Sequence, residues 1–358
     1  MYKKIYVCSP TDRVTGGTEL LQQLVYKLRK IGQNAYVYYL ASYEGSEVEK
    51  VFGDRYSNPT ATKIEDDRDN ILIAAESCIA TLLPFKNITK AIWWLSVDNY
   101  GGALKKNPHF LLRCYFKVLD KLYSMFDNEW LHFVQSEYAY QYCLNDRGIK
   151  SDHIYCLADY LSRAFIDSNM GGVKLGNDRK DIVLYNPLKG KEFTQQLIKQ
   201  NNSFDWRPIV NMTSQEIASL MKRSKVYIDF GNHPGKDRIP REAAICGCCI
   251  ITGKRGAAHN NIDIEIPDKY KFDETEVYQI GETIQYCLIH FDDCYKDFEG
   301  YRNKIRQEEA VFEKEICEIF NNNTHPVVSY GFCSKYVKRP ISVLVNSILN
   351  AFVRIRGK

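Results

Sequence analysis

Short apolar runs alternate along this chain with polar loops and with stretches whose apolar residues recur every three or four positions. Residues 4–9 (KIYVCS) read as a buried strand, followed by a polar, glycine-containing loop over 11–18. Leu20, Leu21, Leu24, Val25, Leu28 and Ile31 then recur at helical spacing, with Gly32 as a stop, and 35–40 reads as the next strand. This β-loop-α-β opening predicts an open parallel sheet. Further strands are predicted at 70–74, 91–95, 131–136 and 154–157, with helices at 110–123 and 138–147. Residues 167–181 are polar with several glycines and read as a linker. A second series follows: strand 182–185, helix 193–200, strand 208–211, helix 215–224, strand 226–230, a helix beginning at Pro240, strand 248–252 and a helix at 308–320. The pattern predicts two α/β domains, 1–170 and 171–320, and a separate tail, 321–358.

The stretch 224–256 carries the densest chemistry. Its strand ends in a Gly-Asn-His-Pro-Gly loop, then Lys236, Asp237 and Arg238, then the helix that Gly247 stops. A helix N-terminus with free N–H groups and nearby cations is an anion-binding design. Glu242-Ala-Ala-Ile-Cys-Gly-Cys-Cys-Ile-Ile-Thr resembles the E-A-x-A-x-G-x-P-V-V stretch of family 4 glycosyltransferases of the GT-B fold. That family carries a Glu-x7-Glu motif, and the position of its first Glu falls here on Pro234. The resemblance spans roughly residues 1–320 and is specific around 182–256.

It implies two Rossmann-like domains facing across a cleft, and transfer of a sugar from a nucleoside diphosphate sugar to a hydroxyl of a glycan or lipid-linked acceptor. The implied reaction retains configuration, needs no metal or other cofactor, and serves surface polysaccharide synthesis. Glu242 is expected on the donor ribose. Lys189 and Lys191, after strand 182–185, and Arg238 are expected on the diphosphate, where cations offset the charge of the leaving group. Gly16 and Gly17 lie in the first strand-to-helix loop, where a missing Cβ admits a phosphate closely. Asp98 stands as the residue that orients or deprotonates the acceptor. Thr213, His233, Lys236 and Asp237 complete the expected donor set. Plain structural alternatives stand beside these: a turn for Asp98, helix N-caps for Asp237, Thr213 and Ser136, and ordinary loop positions for His233 and His259. Trp93 and Trp94 alternate across their strand and are expected in the core. A different class of protein, a non-catalytic nucleotide-sugar-binding or scaffold subunit, fits the missing first Glu.

Composition trims these readings. The net charge is +4 from 48 basic and 44 acidic residues. Lys335, Lys338, Arg339, Arg354, Arg356 and Lys358 lie beyond residue 320, where there is no Asp or Glu, so the preceding residues are weakly acidic. A nucleic-acid partner is therefore not expected. The apolar residues Ile341, Leu344, Val345, Ile348, Phe352 and Ile355 fall on one helical face of that basic tail. An amphipathic helix over 335–358 lying on an anionic membrane is expected, with helix packing on the body as the alternative. Twelve cysteines sit mostly in apolar runs, and Met1-Tyr-Lys-Lys leads directly into a strand. A reduced cytoplasmic protein, peripheral on the inner face of the cell membrane, is expected. Cys246, Cys248 and Cys249 span a helix-to-strand turn with no second ligand cluster nearby in sequence, which argues against zinc. The 25 tyrosines are read as packing residues rather than sugar platforms.

Overall fold

The computed structural model describes residues 2–166 and 179–321. The expected membrane tail and most of the expected linker lie outside the described residues. The chain forms two compact units, each built on one parallel sheet. Among the described residues, the first comprises 2–135, 139–157 and 313–321; the second comprises 136–138, 158–166 and 179–312.

The elements run in this order: β1 (Lys4–Ser9), α1 (Gly16–Lys30), β2 (Ala35–Tyr39), α2 (Glu47–Tyr56), β3 (Asn70–Ala75), β4 (Thr89–Trp94), α3 (Gly102–Lys105), α4 (Phe110–Ser124), β5 (Leu131–Val134), α5 (Glu137–Gln141) and β6 (Ile154–Cys156). There follow α6 (Arg163–Ile166), β7 (Lys180–Tyr185), α7 (Lys191–Gln200), β8 (Asp205–Pro208), α8 (Ser214–Arg223), β9 (Ser224–Asp229), α9 (Arg238–Ile245), β10 (Cys249–Gly253), β11 (Lys271–Phe272), α10 (Val277–Ile289), α11 (Phe291–Lys296) and α12 (Glu299–Asn321).

The first sheet has the order β2-β1-β3-β4-β5-β6 and the second β11-β10-β9-β7-β8, all neighbours parallel. In each, the chain leaves its first strand toward one side and later returns on the other. The points of reversal lie between β1 and β3, and between β7 and β9. Loops leaving the carboxyl ends of such strand pairs diverge and open a crevice, the usual ligand position in open α/β sheets. β1, β3, β9 and β10 are almost wholly buried, as expected of strands covered by helices on both faces.

Most predicted strands and helices appear within one to three residues of their expected bounds, though the helix expected at 308–320 is the longer α12, which starts at Glu299. The exceptions have local causes. β8 lies at Asp205–Pro208 rather than 208–211: it is an edge strand with exposed Asp205 and Arg207, so it lacks the apolar signature that the neighbouring Ile209-Val210 supplies. α9 begins at Arg238, two residues before Pro240, because a proline within the first turn removes only an N–H that has no helical partner. The predicted helix 138–147 is a short α5 followed by a wider π turn over 142–146. Trp93 and Trp94 are both core residues: the Trp93 indole N–H donates to the Leu157 carbonyl, and that of Trp94 to His132 Nδ1.

Candidate functional site

In the second unit the loops after β7 and β9 meet at the sheet's point of reversal. Glycine is what lets them touch. A Cβ on Gly190 (φ +55°) would lie 2.6 Å from the Phe230 carbonyl oxygen, and one on Gly231 would lie 2.5 Å from Lys189 Cβ. Gly256 (φ +60°) presses against the same loop from the other side, where a Cβ would come within 2.2 Å of the His233 carbonyl oxygen. That carbonyl accepts the Ala257 N–H at 2.8 Å. Three close backbone approaches thus fix where Lys189, His233 and Asp237 point.

These side chains form one charged group with Asp229, at the end of β9. Lys189 Nζ donates to Asp237 Oδ2. His233 is fully buried, its Nδ1 2.9 Å from Asp237 Oδ2 and its Nε2 3.6 Å from Asp229 Oδ1, neither contact having the alignment of a hydrogen bond. Asp229 also accepts the Tyr227 hydroxyl and the Gly231 N–H, each at 2.9 Å. Burial alone would lower the His233 pKa, but the two carboxylates outweigh it and the net shift is upward. Asp237 moves the opposite way: burial raises it, while His233 and Lys189 bring it below its ordinary value. Both shifts run toward the charged form of each group, as expected where an imidazole lies between two carboxylates. Asp237 occupies the N-cap position of α9 but makes no side-chain capping bond, because its carboxylate is turned to Lys189 and His233. One ligand atom from each of Asp229, His233 and Asp237 lies within 4.8 Å of the others, a spacing one cation can bridge. The Lys189 ammonium already supplies a positive charge there. Cys246, Cys248 and Cys249 are instead packed in the core as free thiols.

The remaining donor candidates divide. Lys191 opens α7 and is exposed, and Glu242 is half-buried in the second turn of α9. Lys236 turns away, with Nζ 2.7 Å from Glu308 Oε1 and 3.7 Å from Asp159 Oδ1. Arg238 donates to the Tyr160 carbonyl at 3.1 Å, and its Nε is 3.9 Å from Asp159. Thr213 caps α8 in a reciprocal box with Glu216, its hydroxyl oxygen accepting the Glu216 N–H. His259 is exposed in a short turn after Gly256. The N–H groups of Glu137 and Tyr138, at the start of α5 beside Ser136, donate to the Asp263 carboxylate at 2.8 and 2.9 Å.

Arg241 was not singled out in the sequence. It is fully buried, and its guanidinium donates to Glu308 Oε2 (2.8 Å), Asp159 Oδ2 (2.5 Å) and the carbonyls of Lys236 and Asp237 (3.1 Å each). Burial disfavours both charges, but Arg241 with Lys236 holds the Asp159 carboxyl below its ordinary pKa. The network anchors the loop that carries Asp237 and the first turn of α9. The clue in the sequence was position: Ala244 and Ile245, three and four residues on, place Arg241 on the buried face.

The first unit has its own convergence at the β1/β3 reversal. Thr15 caps α1, its hydroxyl oxygen accepting the Thr18 N–H, so Gly16 and Gly17 are the first helical residues rather than loop. A Cβ on Gly17 would meet Leu95 Cδ1 and Thr15 Oγ1 at 3.7 Å, ordinary contact. The fold therefore does not require glycine there. Asp98 is half-buried in a short helical turn after β4. Glu76, at the end of β3, was also missed. It is buried, its Oε2 accepts the Leu95 N–H at 2.9 Å, and desolvation pushes its pKa up to about 7 against backbone N–H bonds that pull it down.

No protein-family model matches the sequence, and no curated protein does. Solved structures do. A glycosyltransferase from Rickettsia africae ESF-5 is 14% identical, with 88% of this chain and 99% of that one covered at a TM-score of 0.58. Anabaena Alr3699/HepE, in complex with UDP and glucose, is 12% identical over 88% and 99%, at 0.62. Sucrose-phosphate synthase from Thermosynechococcus elongatus is 11% identical over 89% and 98%, at 0.59. At these identities the likeness is one of architecture, and the two sheets with their flanking helices are the two Rossmann-like domains of the GT-B fold.

Proposed function

We propose that the protein is a glycosyltransferase, and that its second unit holds a nucleoside diphosphate sugar at the end of β9 and the start of α9. The observation that carries this reading is the Lys189–Asp237–His233–Asp229 group at the β7/β9 reversal, held by Gly190, Gly231 and Gly256. An incoming diphosphate competes with Asp237 for the Lys189 ammonium, and the α9 N-terminus adds positive potential. As the sugar leaves, charge grows on the diphosphate, and these groups stabilise it more in the transition state than in the ground state. Glu242, in the same helix, is assigned to the ribose by its resemblance to the family 4 stretch. The acceptor, a glycan or lipid-linked hydroxyl, is assigned to the first unit beside Gly17 and Asp98. Retention of configuration, a role in surface polysaccharide synthesis and a metal-free reaction belong to the same proposal. The lysine in the Asp229–His233–Asp237 group supports the last point, since it provides the charge that a metal would otherwise bring.

The UDP and glucose bound by Anabaena HepE make UDP-sugars the first donors to try. Donor hydrolysis and transfer are measured across a panel of nucleotide sugars, with and without a chelator. Turnover of one donor is expected, unchanged by chelation. Lys189→Ala is expected to lower kcat by roughly 10²- to 10³-fold, the usual effect of removing one transition-state charge partner. Binding without turnover would establish the scaffold reading instead, and absence of any nucleotide binding would refute both.

A further inference from the structure

α4 (Phe110–Ser124) has one face packed into the first unit, through Phe116, Leu119 and Tyr123. On its other side Phe110, Leu111 and Val118 are 67%, 78% and 67% exposed, and Met125, just past the helix end, is 53% exposed. At about 100° per residue these four fall within one stripe roughly 100° wide. Single exposed apolar residues are ordinary on a protein surface, but four large ones on one helical stripe are a patch.

The charge around that stripe has one sign. Lys117 borders it, Lys121 falls within it beside Phe110, Arg113 is on the adjoining flank, and Lys105 and Lys106 stand exposed just before the helix. The one acidic residue between 101 and 126 is Asp120, which is engaged by the Tyr100 hydroxyl at 2.8 Å and by Arg147 at 3.0 Å. Apolar side chains flanked by flexible lysines match a surface of anionic headgroups over hydrocarbon. The apolar groups enter the boundary layer while the ammonium groups stay with the phosphates. Nucleic acid would use the cations but leave four apolar side chains in water. A folded acidic partner would need a groove shaped to receive them, which a bilayer does not.

We propose that the outer face of α4 is a docking surface for an anionic lipid bilayer. The inference is independent of the transfer reaction, because adsorption is read without any substrate. It also differs from the expectation for residues 335–358, since it places lipid contact within the first unit.

The test is co-sedimentation of the full chain with phosphatidylcholine vesicles, with and without about one third phosphatidylglycerol. Binding to the anionic vesicles only, weakened by high salt, is the expected result. Leu111→Ser with Val118→Ser, and separately Lys117→Glu with Lys121→Glu, should each weaken it by more than about tenfold. All four positions are exposed, so both variants should melt like the parent; if the serine pair unfolds, the charge-reversed pair decides. Sedimentation of that pair equal to the parent's overturns the proposal. So does binding that disappears only when 335–358 are removed, or that goes to nucleic acid and not to vesicles.

Discussion

Replacing Arg241 by methionine removes a guanidinium that makes four hydrogen bonds inside the second unit, two of them to the carboxylates of Asp159 and Glu308. Methionine fills much of the volume, so the loss is chiefly electrostatic. Asp159 and Glu308 are almost completely buried; without the guanidinium, Lys236 Nζ stays 2.7 Å from Glu308, and Asp159 keeps only the longer contacts of Lys236 at 3.7 Å and Arg238 at 3.9 Å. Breaking a buried ion pair by removing one partner costs about 3–5 kcal/mol, because the remaining charge stays desolvated. The chain has two units, so a single unfolding midpoint is a poor measure. Hydrogen exchange of the β9 and β10 amides reports opening of the second unit directly. At about 1.4 kcal/mol per tenfold, their protection should fall by roughly a hundred- to a few thousand-fold in Arg241→Met. Adding Asp159→Asn to that variant removes one stranded charge and should restore about 1–3 kcal/mol, a coupling that two independent sites would not show. A loss of protection under tenfold, or strict additivity of the two changes, would falsify the claim that this network holds the loop carrying Asp237.

Four further predictions concern the sites themselves. Gly190→Ala should lower the melting temperature by several degrees, since a left-handed backbone and a contact 2.6 Å from the Phe230 carbonyl oxygen together cost about 2 kcal/mol or more. Gly17→Ala should melt like the parent but lose activity if a ligand approaches the first turn of α1; the pair separates packing from ligand access. Glu76 binds a proton more tightly folded than unfolded. Stability should therefore fall as pH rises from the unfolded value near 4.5 to about 7, by up to roughly 3 kcal/mol. Glu76→Gln should flatten that stretch of a melting-temperature profile, and an unchanged slope would refute the assignment. His233→Gln should leave the fold intact but weaken nucleotide-sugar binding, measured by calorimetry, because it removes the imidazole that sits between Asp229 and Asp237.

The sequence by itself determined the alternation of strands and helices, because burial on both faces of a parallel sheet writes apolar runs that need no partner to be read. It marked the loop before α9 as a candidate anion site for a similarly local reason, since glycines, cations and a helix N-terminus lie close along the chain; the loop before α7 entered only through the family resemblance. It did not determine which cations face a ligand. Lys236 and Arg238 stand two residues apart from one another and flank Asp237, yet both turn to Asp159, Tyr160 or Glu308, while Lys189, 48 residues from Asp237, pairs with it. Long charged side chains take the direction of the partners the fold brings to them, and those partners come from distant segments. Arg241 and Glu76 were not singled out in the sequence, nor was the outward face of α4, for the same reason. Only the tertiary structure decided these cases, because burial and charge pairing are properties of neighbours in space, and a sequence orders neighbours along the chain alone.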